Sequence, residues 1–417
     1  MNSISVFFAS SVISVIAFLP HAVAQSKWTL TGADFQSRQV EISSLDDAGV
    51  KFADQSKVNW TDVLLLDRDL PAQSQQQSAG GRFTLSLLGG DQFRGDPTSL
   101  DGETLHWNSP ALGAIDVPLK QLSMLSRSIR PAANAAGEKR TEDVVTLANG
   151  DVVRGILAGL ADGAIKIQSQ GSEIAIPLDT VATVALASTG PAASNASPQA
   201  PRSFRVTLAD DSIVTASALH SIGDQLILKL AGGERKVPLS SVAGIEQLNG
   251  PVSWLSSRTP RENVQTPLLD TTRPAKMDRT VAGKPIAFAD RTYARGIGIA
   301  PYSKITWPLD QAGDYKFFRT QYAMAGKGQY ADATVRIKLD DKVVHERKEF
   351  PAGELSPVVI VPLNGAKTLT LEVDFGGNYN VQDQLNWIEP ALLKNAPPVA
   401  PATPTPRAAA TRTAPAQ

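Results

Sequence analysis

The sequence predicts an all-β chain: tandem small antiparallel β-meander or barrel repeats followed by a larger β-sandwich. Three observations carry this expectation. Two separate landmarks recur through the first half at spacings of 59 and 61 residues, apolar residues alternate in short runs closed by turn dipeptides, and helical periodicity is nearly absent.

The first landmark is Leu88-Gly89-Gly90-Asp91-Gln92-Phe93-Arg94-Gly95, matched by Leu147-Ala148-Asn149-Gly150-Asp151-Val152-Val153-Arg154-Gly155, with a degenerate version from Leu208-Ala209-Asp210-Asp211. The second is Val117-Pro118-Leu119 with Leu122 and Leu125, then Ile176-Pro177-Leu178 with Val181 and Val184, then Val237-Pro238-Leu239 with Val242 and Ile245. Independent markers sharing one spacing are the signature of a repeat. A more diverged unit opens at Trp28-Thr29-Leu30 and closes at Val58-Asn59-Trp60, with Val63 and Leu66 in the trailing apolar positions. The units are 27–68, 82–127, 143–187 and 203–248. Their separators, Pro71 to Gly81, Arg130 to Asp143 and Ser188 to Arg202, have the Pro, Ala, Gly, Gln and Ser content of linkers.

Inside a unit, Ile165 and Ile167 and then Ile174 and Ile176 alternate, and Asn149-Gly150 and Asp162-Gly163 stand where hairpins turn. Each unit reads as a meander of four or five strands. Its proline is expected to open the last strand, where a missing N–H is tolerated, placing Leu119, Leu178 and Leu239 at equivalent buried positions on that strand. Units of about 45 residues are marginal alone, so neighbours should pack on one another. The cadence resembles that of Sm-like or SH3-like small barrels.

The repeat stops at about Asn249. Beyond it, alternation at Val335, Ile337 and Leu339, the run Val358 to Val361, and Leu369, Leu371 and Val373 mark strands, separated by turns at Asp340-Asp341, Asn364-Gly365 and Gly376-Gly377-Asn378. Two segments are distinctive: Tyr293-Ala294-Arg295-Gly296-Ile297-Gly298-Ile299, with Ser303 and Lys304-Ile305-Thr306-Trp307 after it, and Gln382-Asp383-Gln384-Leu385-Asn386-Trp387. With these segments, residues 252–394 resemble the NPCBM family, carbohydrate-binding modules first noticed beside glycoside hydrolases. The resemblance covers about a third of the chain and implies a galactose-binding-like β-sandwich with a non-catalytic, sugar-binding role. In that family a histidine usually follows the glycine-rich opening. Here Ala300 occupies the position, so whatever that histidine contributes is lost.

A sugar site needs flat aromatic faces and forked polar groups for oriented hydroxyl pairs. The aromatic and polar residues around the two segments are Tyr293, Arg295, Tyr302, Trp307, Arg319, Tyr322, Tyr379, Asp383, Asn386 and Trp387. Trp307 and Trp387 sit in strand-like apolar contexts and read as core. Arg295 has Asp383 or Glu389 as an alternative structural partner. Tyr302 and Tyr379 lie in loop-like sequence. The ligand-binding set is therefore Tyr302, Tyr379, Arg295, Arg319, Asp383 and Asn386. Gly296 and Gly298 read as sites of close backbone packing or a bulge. Asp374, Asp383 and Glu389 are candidates for a structural Ca2+; no other cofactor is expected.

Residues 1–24 lack charge, carry an apolar run from Ile4 to Leu19 and end in Ala22-Val23-Ala24, a secretory signal-peptide pattern. The expected location is secreted, periplasmic or cell-envelope, with no membrane span after cleavage. Lys plus Arg is 40 against Asp plus Glu 41, so no net field draws the chain to nucleic acid. With no cysteine, disulfides and thiolate chemistry are excluded. His106, His220 and His345 are isolated in sequence, and no Gly-x-Ser-x-Gly elbow, phosphate loop or zinc-binding His pair occurs. No enzyme is expected. Residues 395–417, rich in Pro, Ala and Thr, read as a disordered tail. The expectation is an exported carbohydrate-binding or adhesion protein recognising polysaccharide. Its alternative is a structural or scaffold protein of the envelope whose sandwich binds a protein partner.

Overall fold

The computed structural model describes residues 27–68, 70, 81–127, 140–187, 201–267, 272–309, 313–326, 328, 330–377 and 383–396. The expected signal peptide, Tyr379 and nearly all of the tail lie outside them. Among the described residues helix occurs only as three-residue 3-10 turns, and no helix is long and apolar enough to cross a membrane.

The first half consists of four barrel units. Unit 2 has strands Phe83–Leu87, Gln92–Asp101, Thr104–Ser109 and Gly113–Pro118, a 3-10 turn Leu119–Gln121, and a closing strand Leu122–Ser126. Unit 3 repeats this with Asp143–Leu147, Val152–Ala161, Ala164–Ser169, Ser172–Pro177, the turn Leu178–Thr180 and Val181–Ala185. In units 1 and 4 the long second strand is split, into Ser37–Val40 with Ile42–Asp46 and Ile213–Ala216 with Ala218–Ile222. The closing strand of every unit pairs antiparallel with its first. The central pairs are Leu30 with Leu66, Leu85 with Leu125, Val145 with Val184 and Val206 with Ile245. All eight of these side chains are buried. That return makes each unit a small barrel rather than an open meander, because closure hides the edges of its outer strands.

The structure corrects the placement of the prolines. Pro118, Pro177 and Pro238 end the fourth strand, and a 3-10 turn separates each from the closing strand. Proline, with φ near −60° at all three positions, sets the corner. The next leucine N–H is pinned to the preceding hairpin, Leu119 to the Glu103 carbonyl at 2.7 Å, Leu178 to Gly163 at 2.8 Å and Leu239 to Asp224 at 2.7 Å. The three leucines are equivalent in position but not in burial. Leu178 is buried, while Leu119 and Leu239 are half-buried against the same core.

One hydrophobic cluster, from Trp28 to Ile245, runs through all four units. Units 2 and 3 join by closing strands, as do units 1 and 4. An arginine repeats at both junctions: Arg127 donates to the Leu178 and Val181 carbonyls at 2.6 and 3.0 Å, and Arg68 reaches the Leu239 and Val242 carbonyls. Each arginine also lies over an aromatic ring of its own unit, Phe83 and Trp28 respectively.

The C-terminal region is a β-sandwich of two antiparallel sheets. One has the order Lys276–Met277, Gly296–Ile299, Leu385–Leu393, Phe317–Met324, Val359–Pro362, with Val252–Trp254 also pairing to Leu385–Leu393. The other has the order Glu262–Gln265, Ser303–Pro308, Thr368–Phe375, Asp332–Leu339, Lys342–Pro351. Trp307, Trp387, Phe318 and Phe350 fill the space between them. The two tryptophans are fully buried. Gly298 sits where a Cβ would lie 2.4 Å from the Arg279 carbonyl oxygen, so close backbone packing requires it.

Candidate functional site

The two ends of the sandwich have different environments. At one end, Ala391 and Leu393 join Val252, Trp254 and, from unit 1, Phe35 and Leu64 in a separate apolar cluster. Phe35 meets Trp254 edge-on at a centroid distance of 5.7 Å. This is the face by which the sandwich docks on the barrels.

Arg295 and Arg319, two of the expected sugar ligands, belong to that docked side. Arg295 donates to Asp278 Oδ2 at 2.6 Å and to Glu246 of unit 4, and Glu246 also meets Arg205 at 3.7 Å. Burial is the largest influence on the Arg295 guanidinium and opposes its charge, yet Glu246 and Asp278 together hold its pKa above the ordinary value. Arg319 is buried, donates to Glu389 Oε2 at 3.2 Å and stacks 3.8 Å above the Phe35 ring. For Arg319 burial outweighs Glu389, and the pKa falls. Both guanidinium groups are committed to holding the sandwich on the barrels. The structural partners weighed from sequence, Asp383 or Glu389 for Arg295, are replaced by Asp278 and Glu246.

The other end gathers three connections. Ile299 pairs with Leu385, Ser303 with Val373, Ala333 with Phe375 and Met324 with Leu385. Among the described residues, 300–302, then 325, 326, 328, 330 and 331, and then 376, 377, 383 and 384 therefore lie at this end. Ala300 is buried and its carbonyl accepts the Ser303 hydroxyl. Tyr302 is half-buried, and its carbonyl accepts the Thr266 N–H at 2.9 Å. Tyr330, which the sequence reading overlooked, is 56% exposed here. In sequence it follows Gly326 and Gly328, turn-forming residues rather than an apolar run.

Beneath the loops lies a buried polar group. Asp383 is 1% exposed, its Oδ1 accepts the Asp332 N–H at 3.1 Å, and its Oδ2 accepts no hydrogen bond from the described residues. Asp332 Oδ2 accepts the Gly377 N–H at 2.8 Å. Burial, with the neighbouring Asp332 carboxylate acting in the same direction, pushes the Asp383 carboxyl up to about 7. Asn386, also buried, has an Oδ1 without a described donor. Of the six expected ligand residues, the structure thus brings Tyr302, Asp383 and Asn386 to one end and sends Arg295 and Arg319 to the docked side. Tyr379 is outside the described residues.

The remaining candidates are structural. Tyr293 is buried beneath Arg291, whose guanidinium lies 4.7 Å from the ring. The Tyr322 hydroxyl meets His345 Nε2 at 2.9 Å, and its ring packs on Phe350 and Trp387. Asp374, Asp383 and Glu389 do not act as a set: Arg336 holds Asp374 at 2.9 Å, and Arg319 and Arg291 hold Glu389. Among the described residues no group of three or more His, Cys, Asp or Glu side chains is placed to hold a metal. His106, isolated in sequence, lies between Asp116 at 2.7 Å and Asp101 at 3.1 Å on unit 2; the Asp116 hydrogen bond, ahead of the other effects, raises its pKa.

The fold is a two-sheet sandwich appended to β-barrel repeats. Residues 252–393 match the family model of the NPCBM/NEW2 domain. Among solved structures, the chain is similar to the CBM51 module of a Clostridium perfringens GH95 protein in complex with methyl-galactose, at 22% identity and TM-score 0.31, covering 34% of this chain and 99% of that one. It is similar also to the tandem CBM51 modules of a family 98 glycoside hydrolase from Streptococcus pneumoniae, at 13% identity and TM-score 0.31, covering 72% and 100%. A third is the CBM51-2 and INT structure of Clostridium perfringens ZmpB in complex with GlcNAc, at 15% identity and TM-score 0.31, covering 44% of this chain and 43% of that one. No curated protein matches the chain.

Proposed function

We propose that this chain is an exported, non-catalytic carbohydrate-binding protein that recognises extracellular or envelope polysaccharide through the loop end of its C-terminal sandwich. The observation that carries the reading is the NPCBM/NEW2 match across residues 252–393. The arrangement of the domain supports it. The end docked on the barrels consumes Arg295 and Arg319, and the opposite end carries Tyr302 and the exposed Tyr330, with Asp383 and Asn386 buried at the same end. An aromatic face suits the C–H side of a pyranose, and the partly exposed Asp332 offers an acceptor to its hydroxyls. The barrels then serve as the platform that carries the module.

A second reading is favoured by one residue. Ala300 is buried where the family usually has a histidine, so the sandwich can have exchanged sugar for a protein partner, which makes the chain an envelope scaffold. A glycan array probed with the mature chain separates the two. Selective binding to one class of glycan supports the carbohydrate reading, and an array without signal from folded protein moves the function to the scaffold.

A further inference from the structure

Among the described residues, each strand pairing between repeat units is centred on two residues that hold the same place in their units. In the closing strands Leu125 meets Val184 and Leu66 meets Ile245. Along the second strands Leu100 meets Leu160, and at their starts Gln92 meets Ile213. The equivalence of these starts is set independently, by the register within each barrel: Gln92 pairs with Ser86, Val152 with Thr146, Ile213 with Thr207 and Ser37 with Thr31. Antiparallel pairing of a residue with its own equivalent is a local two-fold contact, the same patch used on both sides.

The units follow the order 3, 2, 4, 1 along the strand-paired ribbon. Units 3 and 1 are therefore its ends, and each carries the second-strand start by which units 2 and 4 meet. In unit 1 that segment is Ser37-Arg38-Gln39-Val40, mostly polar. In unit 3 it begins at Val152, which is 50% exposed, and continues to Ile156, which is 68% exposed. The equivalent Gln92 and Ile213 are half-buried by their contact. That contact is reinforced by the Arg94 N–H on Ser212 Oγ at 2.9 Å and the Thr215 hydroxyl on Asp91 at 2.6 Å. Among the described residues, only Asp143–Leu147 pairs with residues 152–155. Unit 3 therefore presents an open strand edge bearing outward apolar side chains, which favours pairing with another strand.

We propose that a second copy of this chain pairs at this edge, Val152 against Val152 of the second copy, as a two-fold dimer that continues the ribbon. The argument for this occupant is continuity. The chain already uses the same edge, in the same antiparallel register of equivalent residues, between units 2 and 4. The exposed valine and isoleucine add apolar burial where units 2 and 4 use polar bonds. The sandwiches, docked on units 1 and 4, then lie far from the dimer axis, so the assembly is bivalent for whatever the sandwich binds.

The chain has no cysteine, so Val152→Cys introduces a single thiol. Directly opposed residues of an antiparallel pair have Cα atoms about 4.5–5.5 Å apart, within the roughly 4.4–6.8 Å that a disulfide spans. Mild oxidation of Val152→Cys is expected to give a covalent dimer, whereas Val264→Cys, exposed on the sandwich, stays monomeric. In sedimentation, the unmodified mature chain should run as a dimer and the Val152→Lys/Ile156→Lys variant as a monomer with unchanged far-UV circular dichroism. Three results would overturn the proposal: a monomeric wild type at micromolar concentration, Val152→Cys linking no faster than Val264→Cys, or Val152→Cys linking only to Ser37→Cys in a mixture, which would mean head-to-tail filaments.

Discussion

Replacing Asp383 by Asn should stabilise the protein by an amount that grows as pH rises from about 4 to about 7. The Asp383 carboxyl is buried, has an oxygen without a described donor, and lies beside Asp332. Its pKa rises from 3.8 to about 7. A raised carboxyl pKa means that the folded state binds the proton more tightly than the unfolded state between these values. Stability therefore falls as pH rises from about 4 to about 7 and is flat beyond. At about 1.4 kcal/mol per unit, a shift of some three units corresponds to about 4 kcal/mol of destabilisation above neutrality. Asn keeps an oxygen for the Asp332 N–H and carries no charge. The difference between Asp383→Asn and wild type, measured by urea unfolding, should be near zero below about pH 4 and approach 4 kcal/mol in favour of the variant at about pH 8. Other titrating groups cancel in this difference. A variant less stable than wild type at the higher pH, or a difference independent of pH, would refute the reasoning and indicate that the Asp383 charge is matched by a bound cation or donor.

Two further substitutions test the packing account. Leu178→Ala should cost ~2 to 5 kcal/mol, with Leu119→Ala and Leu239→Ala costing less because those side chains are only partly buried; equal losses in thermal unfolding would contradict the burial difference. Arg319→Ala removes both the Glu389 ion pair and the stack on Phe35, so about 3 kcal/mol should be lost and limited proteolysis near residue 250 should quicken. Unchanged stability and protease resistance would show that the docked side is held by the Phe35 and Trp254 cluster alone.

The repeats were legible because the features that define them are local. A proline that sets a corner and three apolar positions that close a barrel recur at one spacing, whatever the rest of the unit does. The 3-10 turn after Pro118, Pro177 and Pro238 was missed because Pro-Leu followed by polar residues is equally compatible with a strand start; only the bond from the leucine N–H to the preceding hairpin decides it. The burial of Trp307 and Trp387 was readable from strand context. The roles of Arg295 and Arg319 were not, since Glu246 and Phe35 belong to other domains and no sequence pattern links them. Asp383 was singled out for its place in a motif, but its perturbed acidity comes first from burial and then from Asp332, 51 residues away in the chain, and both arise only once the sandwich has formed.

The central claim is that the loop end of the sandwich binds a glycan, and isothermal titration of an array-identified glycan into the mature chain and its Tyr302→Ala variant tests it most directly. The account predicts measurable binding by wild type and a loss of about tenfold, some 1.4 kcal/mol, in Tyr302→Ala at an unchanged melting temperature, because a half-exposed loop ring contributes little to the core. Equal affinity of the two proteins, or no heat with any glycan from a folded chain, would contradict it.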